Sequence, residues 1–127
     1  MTVQKITLED RGQDFTEWYV RDGVVIDCQP FQGRVWVGTK VLNAINPRQP
    51  NKVVHGVLGE RREHPPHDSD IKSGSLLEIV RKSGAKVLLD YAVVAVEILS
   101  PAEAAKVEEF GRKWADMQGI ARADLGL

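Results

Sequence analysis

Ser100-Pro101-Ala102-Glu103 is the stretch that decides the fold of this chain. It has the form of a helix start. The serine oxygen accepts from the exposed N–H groups of the first turn, and Glu103 reaches back to the N–H of Ser100. Pro101, at the first helical position, lacks a donor that would go unpaired there anyway. The sequence before this junction is strand-rich, and the sequence after it has helical spacing.

Downstream, Val107, Phe110, Trp114 and Met117 recur at intervals of three, four and three, which makes one apolar stripe. Glu108 with Arg112 and Glu109 with Lys113 stand acid before base at i,i+4, the favourable order for an exposed face. Gly119 suits the position that ends the helix. The spacing therefore predicts a helix over 101–118, with its stripe covering the sheet or pairing with a second copy or another protein. Ala121 to Leu127 reads as a loosely held tail.

Upstream, Tyr91 to Leu99 is apolar on both faces, the pattern of a central strand. Leu76 to Val80 has strand character, and Ser83-Gly84 predicts a hairpin with Val80 opposite Val87 and Ile79 opposite Leu88. Phe15 to Val20 and Val24 to Cys28 flank Asp22-Gly23, the strongest short hairpin signal, because both central residues of a type I′ turn need positive φ. That turn sets Val20 against Val25 and Tyr19 against Ile26, and puts Phe15, Tyr19, Ile26 and Cys28 on one side. Pro30-Phe31-Gln32-Gly33 turns the chain, and Arg34 to Val37 reads as a third strand of a meander from Phe15 to about Val41. Val3, Ile6 and Leu8 form a first strand, at an edge.

Asn46-Pro47 and Gln49-Pro50 interrupt regular structure, and Val53 to Leu58 is a short strand candidate. Gly59 to Ser75 is the longest stretch without periodicity. Loops beyond about 12–15 residues in compact domains are usually functional or disordered. The expected fold is α+β in a single domain, 1–127. An antiparallel strand-rich sheet or small open β-barrel spans about 3–99, with a C-terminal amphipathic helix at about 101–118.

The 127 residues are 43% hydrophobic and 28% charged, the composition of a folded chain. A net charge of −1 leaves no global basic field for nucleic acid or anionic lipid. The one cysteine excludes an intrachain disulfide and fits a reducing compartment. The start of the chain carries no secretory pattern, and its longest apolar run, Tyr91 to Val96, is far below the ~20 residues that span a bilayer. The expectation is a cytoplasmic protein without membrane contact.

His64, His67, Asp68 and Asp70 are the one cluster of metal-ligand types, with His55 able to join only through the fold. Their spacing is not that of a strong metal motif, and a solvated polar loop explains them better. Cys28 has no histidine before residue 50, so a buried structural thiol is the better reading. The acids Asp10, Asp14, Glu17, Asp22 and Asp27 suggest no particular acid–base pair. No GxGxxG or GxxxxGK[ST] motif is present, and Lys72-Ser73-Gly74-Ser75 leads into a strand instead of a helix. Trp18, Tyr19, Phe31 and Trp36 lie near Arg21, Arg34 and Lys40, a combination that stacks single-stranded nucleic acid or simply packs a core.

The sequence thus reads as a non-enzymatic interaction module that needs no cofactor. Its expected partner is another protein, contacted through Arg61, Arg62, His64 and His67, and a homodimer through the C-terminal helix is a further expectation. Two alternatives stand beside this reading. One is a small metal-dependent enzyme using the His64/His67 loop. The other is a single-stranded nucleic-acid binder using the Trp18/Trp36 region.

Overall fold

The computed structural model describes residues 2–10, 14–45, 71, 73–81 and 83–127. Its strands are β1 (Val3–Asp10), β2 (Asp14–Arg21), β3 (Val24–Gln29), β4 (Lys40–Ile45), β5 (Leu76–Val80) and β6 (Lys86–Ile98), followed by the helix α1 (Pro101–Gln118). Each strand pairs antiparallel with the next, and β6 returns to pair with β1. The fold is α+β, and the small barrel is closed, not open. Closure removes the edge position expected for the first strand, since β1 pairs on both sides.

The cross-strand pairs set the inward face. Ile6 stands opposite Trp18, Trp18 opposite Cys28, and Val20 opposite both Gln4 and Val25, all of them buried. Val41, Leu77, Ile79, Leu89 and Val93 continue this core around the other half of the ring. Each such side chain contributes roughly 1.5–3 kcal/mol by leaving water.

Asp22 (φ 52°) and Gly23 (φ 74°) both have positive φ, as a type I′ turn requires, and Val20 does face Val25. One step on, a β-bulge at Ile26 shifts the register. Tyr19 then faces Asp27, not Ile26, and Trp18 faces Cys28. The grouping of Cys28 with Phe15 and Tyr19 is thereby corrected: Cys28 joins Trp18 inside, and Phe15 is exposed.

The second hairpin is one residue tighter than its sequence suggests, with Val80 opposite Lys86 and Ile79 opposite Val87. Arg81 N–H donates to the Ala85 carbonyl at 2.9 Å, and Gly84 (φ 87°) supplies the left-handed residue that closes the loop.

The stretch Arg34 to Val37 is not a strand. After a cis Gln29–Pro30 bond the chain forms a 3-10 turn, Phe31–Trp36. The compact turn lets Arg34 fold over β3, where its Nε donates to Asp27 Oδ1 at 3.1 Å, and lets Trp36 reach Trp18. The chain rejoins the sheet at Gly38, whose N–H donates to the Val25 carbonyl at 2.8 Å. Val24 and Lys40 are the one residue pair registered between β3 and β4.

The helix starts as expected. Ser100 Oγ accepts from the Glu103 N–H at 3.3 Å, with Pro101 at the first position. The Glu103 carboxylate accepts from the Ser100 hydroxyl at 3.0 Å, a contact to the side chain in place of the expected one to the backbone. The contact face of α1 differs from the apolar stripe. Ala104, Gly111 and Ala115 are buried, Val107 and Trp114 pack at the margin, and Phe110 (57% exposed) and Met117 (76%) face outward. The cause is close approach. A Cβ on Gly111 would lie 3.1 Å from the Ile26 carbonyl oxygen, so small residues must meet β3 and the large stripe rotates away.

The C-terminal residues are tied down, not loose. They form a second 3-10 turn, Arg122–Leu125, with Leu125 fully buried. Arg122 donates to Asp116 at 2.6 and 3.0 Å, and these hydrogen bonds hold the Asp116 carboxyl below its usual range. Arg21 donates to the Gly126 carbonyl, and its Nε lies 3.7 Å from Glu108.

Candidate functional site

The longest excursion from the barrel leaves β4 at Ile45 and returns to β5 at Leu76, and these two residues are direct cross-strand partners. A tight turn would suffice to join them. The sequence places residues 46–75 there instead. The return arm is fastened to β6. Ile71 is buried, Ser73 Oγ donates to the Val94 carbonyl at 3.0 Å, and Gly74 N–H donates to the Val93 carbonyl at 2.6 Å. The Val93 N–H in turn donates to the Ser75 carbonyl at 2.9 Å, and Gly74 takes φ 90° at the bend. Both ends of the excursion are thus held by the barrel wall. Arg61, Arg62, His64 and His67 belong to this excursion, as do Asp68, Asp70 and His55, and all seven lie outside the described residues.

The aromatic region is a different kind of place. Trp18 is fully buried, so its ring offers no face to a nucleobase. Its Nε1 is buried with no hydrogen-bond partner among the described residues. Trp36 is half-buried with its ring centroid 5.5 Å from that of Trp18, and Tyr91 meets it edge-on at 6.4 Å. Arg81 covers the Trp36 ring, with its Cζ 5.2 Å from the centroid. Two of the three cations near these aromatics in sequence are committed to structure: Arg34 to Asp27 and Arg21 to Glu108 and Gly126. Lys40 is exposed.

Asp27 and Arg34 form a nearly buried ion pair that sequence reasoning missed. Asp27 Oδ1 accepts from the Cys28 N–H at 2.9 Å and from Arg34 Nε at 3.1 Å. The guanidinium lies under α1, 5.7 Å from the Phe110 centroid and 5.6 Å from that of Trp114. This arrangement joins strand, turn and helix, and commits Asp27 Oδ1. The available signal was an aspartate between the apolar residues Ile26 and Cys28 of an expected strand. Cys28 is a buried thiol outside any disulfide. Glu17 lies 3.7 Å from Lys5 and accepts from the Tyr19 hydroxyl at 3.3 Å, and burial together with the Glu17 charge pushes the Tyr19 phenol up.

Among the described residues no group of His, Cys, Asp and Glu is placed to hold a metal ion, and no helix is long and apolar enough to cross a membrane. No family model matches the chain, and no curated protein or solved structure matches it.

Proposed function

We propose that this protein is a binding module that docks another protein through residues 46–75, with the barrel as a rigid mount. One observation carries the reading: Ile45 and Leu76 are paired in a closed barrel, so both ends of a long excursion leave from adjacent, fixed points. Binding residues are characteristically presented this way, on loops positioned by a rigid scaffold. Pro65-Pro66 restricts the excursion's backbone and so lowers the ordering cost of binding, and Arg61 and Arg62 bring the forked, stacking side chains that anchor interfaces. The single cysteine, buried on β3, fits a reducing cytoplasmic setting.

The test replaces residues 46–70 with a short Gly/Ser connection and, separately, changes Arg61 and Arg62 together to alanine. Both proteins should keep the wild-type near-ultraviolet dichroism and cooperative melting, since the six strands and α1 lie outside residues 46–70. Each should lose the proteins that co-purify with the wild type. Retention of every partner by both variants, with loss of a measurable turnover in His64→Ala or His67→Ala, would replace this reading with a metal-dependent enzyme.

A further inference from the structure

A second candidate site lies in the described part of the molecule, where the C-terminal segment passes the start of β4 and the β5–β6 turn. The two walls flank an open cavity of about 670 Å³, within the usual range for small-molecule sites. Val24, Val37 and Val80 come from the barrel side, and Ile120 and Leu125 from the C-terminal side. Gly84 stands in the cavity's lining, with nothing within 4 Å of where a Cβ would stand.

The charged groups in this lining are Lys40, Arg81 and Asp124, and none of the three forms an ion pair with a described residue. Arg81 is nevertheless held in place. It lies on the Trp36 ring, which packs against Trp18 in the core and Tyr91 on β6. Stacking uses the face of a guanidinium and leaves its N–H edge free to donate. A pre-positioned arginine that shares this lining with a lysine and several apolar side chains matches a single anionic head on an apolar body. The Asp124 carboxylate disfavours a second negative charge.

We infer that this cavity binds an organic monoanion with an apolar body, its head between Arg81 and Lys40 and its body against Val37, Val80 and Ile120. None of the described lining residues belongs to residues 46–75.

The experiment uses decanoate on the full chain, with decanol as the uncharged probe of equal chain length, followed by titration calorimetry and by displacement of anilinonaphthalene sulfonate fluorescence. Decanoate should bind saturably at one site and at least about tenfold tighter than decanol, the worth of one charge-assisted contact. Arg81→Ala and Lys40→Ala should each weaken decanoate by about tenfold while leaving decanol unchanged. Lys106→Ala, on the exposed outer face of α1, should change neither. Ala123→Phe fills the cavity from an exposed position and should abolish binding of both probes with melting unchanged. The inference is overturned by absence of saturable decanoate binding, by equal affinity for decanol, or by binding that survives Ala123→Phe.

Discussion

β3 is buried on both faces, whereas the longer β6 leaves much of its outer face to water. In β3 the run Val25, Ile26, Asp27 and Cys28 is buried without interruption, although it contains a charge. In β6 Ala95 and Glu97 are exposed, and Leu88 is 52% exposed despite its apolar surroundings in sequence. What separates them is the helix. α1 can come close to β3 because Gly111 meets Ile26 there, with Ala104 and Ala115 also small and buried on the helix, and the Asp27–Arg34 pair fills the polar corner of the contact. Burial of a strand here follows the small residues of its cover more than its own apolar content.

The largest test of that contrast is Asp27→Ala. Removing one partner of a buried ion pair costs about 3 kcal/mol, so denaturant unfolding should show a loss of that size. A loss below about 1 kcal/mol, the range of exposed pairs, would mean that the pair is not part of what seats α1. Next is Gly111→Val. Its side chain would press on the Ile26 carbonyl, a backbone atom that cannot step aside, and on Leu127, lowering stability by about 2 kcal/mol. Unchanged stability would show that α1 has room to ride higher over β3.

Ser100→Ala removes the hydroxyl that accepts the Glu103 N–H, and should cost about 1 kcal/mol. Thermal melts beside Ser73→Ala, whose hydroxyl bonds an exposed carbonyl contact on β6, give the comparison. Equal, negligible shifts in the two would remove the cap from the account of how the helix is placed. Smallest of all should be Leu88→Ser on the outer face of β6, within about 0.5 kcal/mol of wild type. A loss of core size would show that this face is covered in solution, by a second copy or by another protein, and would erase the difference between the two strands.

The parts of this fold that were legible in the sequence are those where one residue type answers one backbone need. Asp22-Gly23 announces a turn because two successive positive φ values exclude most residues, and Ser100-Pro101 announces a helix because it solves the problem of unpaired N–H groups. What was illegible depends on contacts distant in sequence. Arg34-Val35-Trp36-Val37 has the composition of a strand, yet it makes a 3-10 turn because Asp27 and Trp18 are its partners. The bulge at Ile26 leaves no local mark, and it alone reverses the face that Cys28 occupies. The stripe on α1 predicted a helix correctly and its contact face incorrectly, since periodicity reports where apolar residues lie and not how near a neighbour can come. At the candidate docking site, the stretch without periodicity, Gly59 to Ser75, lies mostly outside the described residues. That Ile45 and Leu76 are cross-strand partners was not legible, because β4 is distinguished only by its pairing with β5.

The junction of β3 with β4 gives the ring a clasp. One registered pair and a few backbone hydrogen bonds from Val25, Gly38 and Val41 close it there, while the β1–β2 ladder runs the length of both strands and the β1–β6 ladder runs from Gln4 to Glu9. A closed barrel has no strand edges to offer another chain. Releasing this clasp need not unfold the molecule: the remaining five ladders would still hold a curled sheet, now with β3 and β4 as its two unsatisfied borders. The protein's exposure to edge-to-edge self-association is therefore concentrated in the few atoms around Val24 and Lys40.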